Sequence, residues 1–183
     1  MRDLGEQLAR LLRPGDLVVL SGGLGAGKTT LTQGIGAGLG VRGPVTSPTF
    51  VIARLHPSLR GGPDLVHADA YRLGSRAEVD DLDLDNDLDA SVTVVEWGEG
   101  LVEGLAPSFL HVAIAAGAGQ GREPGVTAGS GDAGDEARTV RVTGWGERWR
   151  AAAPAVRQGL AASPDGPPSR EPGPATSGTS DSS

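Results

Sequence analysis

The sequence predicts an α/β fold: a mainly parallel sheet flanked by helices and finished by a C-terminal antiparallel hairpin. Three observations carry this expectation. Short apolar runs rich in β-branched residues, such as DLVVLS at 16–21 and SVTVVEW at 91–97, alternate with segments of helical pattern. The run at 16–21 is bounded by glycine and nearly continuous in apolar residues, as suits a strand buried on both faces. Between it and the next helical segment lies a glycine-rich turn, GGLGAGKT at 22–29.

In chain order, Leu4, Leu8, Leu11 and Leu12 fall at helical spacing, and Pro14-Gly15 ends that first helix. The strand at 16–21 and the turn lead into a helix from Lys28 to Leu39. Further strands are expected at TFVIARL (49–55), DLVHAD (64–69), SVTVVEW (91–97), FLHVAIA (109–115) and RTVRVT (138–143), with helical segments at 76–90, at 98–104 and after Trp145. Residues 117–137 hold almost no large apolar side chain and read as a long flexible loop joining the last two strands. From Ala161 onward, Pro, Gly, Ser and Thr leave nothing to bury, the signature of a disordered tail. The expected organisation is one domain over 1–160, with the 117–137 loop inside it, then a tail at 161–183.

Composition narrows the function classes. The 183 residues suit one domain with a substantial core, and the absence of cysteine removes disulfides and thiolate metal sites. A formal net charge of −7 argues against a chain that grips nucleic acid by itself, because such binding needs a basic face that displaces counterions. No stretch approaches the roughly 18 apolar residues of a membrane span, and no secretory pattern opens the chain, so a cytoplasmic protein with no membrane partner is expected.

Sixteen residues are basic and Lys28 is the only lysine among them. It sits in GGLGAGKT, which matches G-x-x-x-x-G-K-[ST] and lies where that motif works, after a buried strand and before a helix. Backbone N–H groups of such a turn, with the positive end of the following helix, form a cradle for phosphate oxygens. Lys28 is expected to reach the β- and γ-phosphates as a compact charge, and the Thr29 hydroxyl to ligate Mg²⁺. Every other basic role is filled by arginine, which points to a site that the bulkier guanidinium cannot fit.

A phosphate cradle with a metal also calls for acids. Glu96 and Asp69 end two of the expected strands, at the edge of a parallel sheet where ligands of such folds bind. A carboxylate about 4 Å from a phosphate charge is repelled by roughly 4 kcal/mol at an effective dielectric near 20, and a divalent cation reverses that sign. Glu96 is therefore expected to be the distal Mg²⁺ partner, and Asp69 a second acid that orients metal-bound or attacking water. His67 shares the strand face of Asp69 and suits a hydrogen-bonded structural role as well as a catalytic one. Trp97 is either a lid over the site or a packing residue. TSPTF at 46–50, with Thr49, offers hydroxyls near the expected γ-phosphate, either as a nucleotide-sensing loop or as turn residues before a strand. The acidic run DDLDLDNDLD (80–89) lacks the glycine and terminal glutamate of a calcium loop, and Leu82, Leu84 and Leu88 are expected to pack inward from it. Guanine recognition through an Asn-Lys-x-Asp segment is excluded, since the one lysine is already used. A small-molecule kinase and a nucleotide-dependent interaction module stay open beside an ATP hydrolase.

Four stretches together, GGLGAGKTT (22–30), VTSPTF (45–50), HADAYRL (67–73) and VVEWGEG (94–100), resemble the TsaE family of small ATPases in bacterial tRNA threonylcarbamoyladenosine biosynthesis. The resemblance covers residues 1–150. It implies a P-loop α/β fold, ATP and Mg²⁺, and a helper of TsaD and TsaB that supports the modifying complex without transferring the carbamoyl group itself. Contact with tRNA is then made mainly through those partners. By position, Leu24, Gly25, Ala26, Gly27, Lys28, Thr29 and Thr30 match the family's phosphate loop, Thr29 and Glu96 its Mg²⁺ residues, Asp69 its motif acid and Trp97 its Walker B tryptophan. One departure is Gly23, where the family usually has aspartate.

Overall fold

The computed structural model describes residues 1–50, 52–80, 88–116 and 138–152. In chain order the elements are α1 (Arg2–Ala9), β1 (Leu17–Gly22), α2 (Lys28–Leu39), β2 (Ala53–His56), β3 (Asp64–Asp69), α3 (Arg76–Asp80), β4 (Ser91–Glu96), β5 (Phe109–Ala116) and β6 (Arg138–Trp145). Short 3-10 turns occupy Leu88–Ala90 and Glu103–Leu105, and a helical stretch follows at 146–152.

Six strands form one sheet in the order β2-β3-β4-β1-β5-β6. The inner four run parallel, and the two edge strands, β2 and β6, pair antiparallel with their neighbours. The expected mainly parallel sheet and the expected antiparallel final pair are both present. β4 and the first four residues of β1 are buried because both faces of the sheet are covered there. On one face, α1, α2 and Trp149 pack over Val18, Leu20, Val94, Leu110 and Val112. On the other, Val79, Val102, Leu101 and Leu105 cover Leu17, Val19, Val66 and Val95. Each fully buried aliphatic side chain contributes about 1.5–3 kcal/mol.

Small residues set the approach of α1 to α2. A Cβ on Gly34 would lie 2.1 Å from the Arg2 carbonyl oxygen, and one on Gly5 would lie 2.3 Å from that of Leu31. The C-terminal helical stretch is clipped to the turn before β1: Arg148 Nη2 donates to the Leu11 carbonyl at 2.8 Å and to Asp16 Oδ2 at 3.1 Å.

Three expectations are corrected. The strand expected at 49–55 begins only at Ala53. Ile52 donates its N–H to the Pro48 carbonyl at 2.7 Å and takes φ +68°, which makes a tight turn where extended backbone was expected. The helix expected at 98–104 is instead a turn in which Leu101 and Val102 both donate to the Gly98 carbonyl, followed by a 3-10 turn that leaves Val102 fully buried. Of the helix expected at 76–90, α3 reaches Asp80 and Leu88–Ala90 is 3-10. Leu88 is buried as expected; Leu82 and Leu84 lie outside the described residues, as do the 117–137 loop and the 161–183 tail. Among the described residues no helix is long and apolar enough to cross a membrane.

Strand register brings the two acids together. Leu20 of β1 pairs with Glu96 of β4, and Glu96 pairs with Asp69 of β3. Two carboxylates therefore stand side by side at the strand ends, next to the turn that leaves β1.

Candidate functional site

β1 ends at Gly22, with φ +144°, where a Cβ would lie 2.3 Å from the Ile114 carbonyl oxygen, so only glycine fits against β5. The chain then turns through 23–26, and Gly27, at φ +107°, starts α2 with no side-chain cap. The first amides of α2 are thus left facing the turn with the positive end of the helix dipole behind them.

Lys28 folds back into this turn and is 5% exposed. Its Nζ donates to the carbonyls of Gly22 at 2.8 Å and Gly23 at 2.9 Å, and stands 3.7 Å from the centre of the Trp97 ring. Burial pulls the ammonium pKa below its ordinary 10.5, while the charges of Glu96 and Asp69 oppose that shift. Trp97 holds its ring there at φ +60°, a backbone conformation that costs about 1–3 kcal/mol in a non-glycine residue and that tends to persist at functional sites.

Glu96 is 3% exposed, and both its oxygens are occupied. Thr29 Oγ1 donates to Oε2 at 3.1 Å, and His67 Nε2 lies 2.8 Å from Oε1. Asp69 is equally buried, with Oδ2 accepting from Thr49 Oγ1 at 2.5 Å and Ser47 Oγ at 3.3 Å, and Oδ1 accepting from the Tyr71 N–H at 2.9 Å. The Tyr71 ring in turn leans on Trp97, with centres 5.1 Å apart. Lys28, Thr29, Ser47, Thr49, Asp69, Glu96 and Trp97 line a cavity of about 220 Å³ whose walls also include Gly25, Gly27 and Thr30, with Leu24 exposed at its lip.

The sequence-expected residues thus converge: Lys28, Thr29, Thr49, Asp69 and Glu96 line one cavity together with Trp97. Ala26 does not line it; its methyl is buried in the core behind the turn. Two contributors were not singled out from sequence, Ser47 and Tyr71. The hydroxyl-rich TSPTF segment and the position of Tyr71 two residues after Asp69 were the available signals. A larger cavity of about 510 Å³ lies away from these acids, on the face of β5 and β6 beside Ser21 and His111. Ser21 Oγ is 2.8 Å and Glu99 Oε1 4.0 Å from the same His111 nitrogen, Nε2. An acid on that nitrogen does not orient the ring, so these three residues do not form a Ser-His-acid triad.

The family model described as Threonylcarbamoyl adenosine biosynthesis protein TsaE matches residues 1–123. The chain belongs to the TsaE family. The tRNA threonylcarbamoyladenosine biosynthesis protein TsaE of Streptomyces coelicolor is 59% identical over 160 residues, spanning 87% of this chain and 100% of that one. The protein of the same name from Bacillus subtilis is 39% identical over 147 residues, 80% of each chain. Among solved structures, that of Bacillus subtilis YdiB superposes with a TM-score of 0.60 at 29% identity, covering 86% of both chains. All four stretches that carry the TsaE resemblance fall within the residues the family model matches.

Proposed function

We propose that this TsaE-family chain is a Mg²⁺-dependent ATPase that supports tRNA threonylcarbamoyladenosine formation in the cytoplasm as a helper of the TsaB–TsaD complex. The observation that carries the reading is the meeting of Thr29 and Glu96, 3.1 Å apart, beside the only lysine and the free amides of α2.

The donor set fits the metal, since a hydroxyl and a carboxylate are hard oxygens of the kind Mg²⁺ takes alongside phosphate oxygens and water. Thr29 and Glu96 are the residues that would hold it. Bound there, Mg²⁺ supplies charge neutralisation at the phosphate oxygens. The amides of the 24–30 turn cradle the phosphates, and Lys28 exchanges its two carbonyl partners for phosphate oxygens when the triphosphate binds. Asp69 orients the attacking water, and the products are ADP and inorganic phosphate. In the resting arrangement both oxygens of Asp69 are taken, one of them by the hydroxyls of the 46–50 loop. Oδ1 accepts one hydrogen bond and keeps a lone pair for water, and movement of that loop would free Oδ2 as well, which opens turnover to control by a partner.

The test is ATP hydrolysis by the full chain with and without TsaB and TsaD, alongside threonylcarbamoyladenosine formation on tRNA. Hydrolysis stimulated by the partners, with repeated rounds of modification, supports the proposal. Phosphate transfer to a metabolite would instead make the chain a small-molecule kinase, and nucleotide binding with no turnover would make it a conformational module.

A further inference from the structure

We infer that His67 is a positioning residue that fixes Glu96 for the divalent cation; the inference rests on the proposed ATPase activity and assigns a role within the same site. His67 is fully buried on β3, two residues before Asp69 and on the same face of the strand. Its Nε2 is 2.8 Å from Glu96 Oε1. A carboxylate only accepts, so Nε2 carries the hydrogen and donates it. Nδ1 is buried without a hydrogen-bond partner among the described residues, which leaves the Glu96 bond as the polar contact that sets the ring.

The consequence falls on the other oxygen of Glu96. With Oε1 held from beneath by the imidazole, the carboxylate cannot rotate freely, and Oε2 is presented to Thr29 Oγ1 at 3.1 Å. The parallel register makes this possible: Asp69 pairs with Glu96, which brings the residue two places earlier on β3 alongside the glutamate side chain. A metal-binding carboxylate held this way binds its ion more tightly, and loss of such an outer partner typically costs 10–100-fold in metal affinity, about 1.4–2.7 kcal/mol. A purely structural histidine would instead lower stability without selecting between metal and nucleotide.

The test compares His67→Asn, whose amide stops short of Glu96, with His67→Gln, whose amide reaches about as far as Nε2. Mn²⁺ affinity of the ADP complex of the full chain, followed by electron paramagnetic resonance, and ADP affinity in excess chelator are measured for each, with melting temperature as the check on folding. The expected result is a loss of at least about tenfold in Mn²⁺ affinity for His67→Asn, little change in metal-free ADP affinity, and recovery of most of the loss in His67→Gln. Wild-type Mn²⁺ affinity in His67→Asn, or an equal loss in both variants, overturns the inference alone. A wild-type ADP complex that takes up no Mn²⁺ sinks the ATPase reading together with it.

Discussion

Lys28 rests on the carbonyls of the turn it is proposed to serve, so its removal has two opposite effects. Lys28→Ala frees a buried cation from a costly position but takes away the charge that meets the triphosphate. The expected outcome is a fold as stable as the wild type by urea denaturation, with ATP affinity sharply reduced and hydrolysis abolished. Glu96→Ala, by contrast, is expected to keep nucleotide and lose Mg²⁺-dependent turnover, which a nucleotide-binding assay beside a hydrolysis assay separates from the first case. His56 illustrates a residue outside the site. It is buried at the end of β2, and burial pulls its pKa below the ordinary 6.5. The unfolded chain then binds the proton more tightly, so the contribution of His56 is complete above pH 6.5 and is lost as pH falls through the folded value. Between pH 7.5 and 5.5, His56→Asn, which does not titrate, is expected to lose less stability than the wild type; equal losses in both would rule out His56 as a source of the acid sensitivity. Lys28, Thr29 and Glu96 were legible in the sequence because a fixed spacing and a strand end specify them. Ser47 and Tyr71 were not, because their roles depend on how two loops close over Asp69.

At the level of elements, the α1–α2 contact and the clip on the C-terminal helix carry separate predictions. Gly34→Ala gains up to about 1 kcal/mol of helix propensity. The new methyl, however, meets the Arg2 backbone, and overpacking against atoms that cannot rotate away costs about 1–3 kcal/mol. Net destabilisation in urea is expected; a more stable variant would show that α1 moves aside freely. Arg148→Met leaves the Asp16 carboxylate, 4% exposed, with one partner fewer, and the unmet group costs about 1–3 kcal/mol at neutral pH. Burial already raises the Asp16 pKa above 3.8, so its native carboxyl holds a proton more tightly than the unfolded one, and stability from this group falls as pH rises through the raised value. Arg148 opposes that shift, hence the deficit of the variant should shrink as pH drops toward 4 and grow above it. The strands of this fold were readable because buried parallel strands are short, apolar and β-branched. The turn at Thr49, Phe50 and Ile52 and the segment 98–104 have the composition of a strand and a helix but are shaped by tertiary contacts: a hydroxyl drawn to Asp69 in one, Val102 drawn into the core in the other.

For the molecule as a whole, sheet order decides where chemistry is possible. Placing β1 between β4 and β5 sets the glycine-rich turn beside Glu96 and Asp69, so that the lysine and hydroxyl of α2 meet one acid from β3 and one from β4. Family membership was legible before the structure because four short stretches occur in order, whereas the meeting of their side chains needed the register. A net charge of −7 agrees with the proposed helper role, in which partners would make most of the tRNA contact. The most direct measurement of the central claim is a crystal structure of the chain with Mg²⁺ and a non-hydrolysable ATP analogue. In that complex Lys28 Nζ is expected to leave the Gly22 and Gly23 carbonyls for phosphate oxygens, with the metal held by Thr29 and Glu96. Lys28 still seated on those carbonyls beneath Trp97, with the triphosphate bound elsewhere, would contradict it.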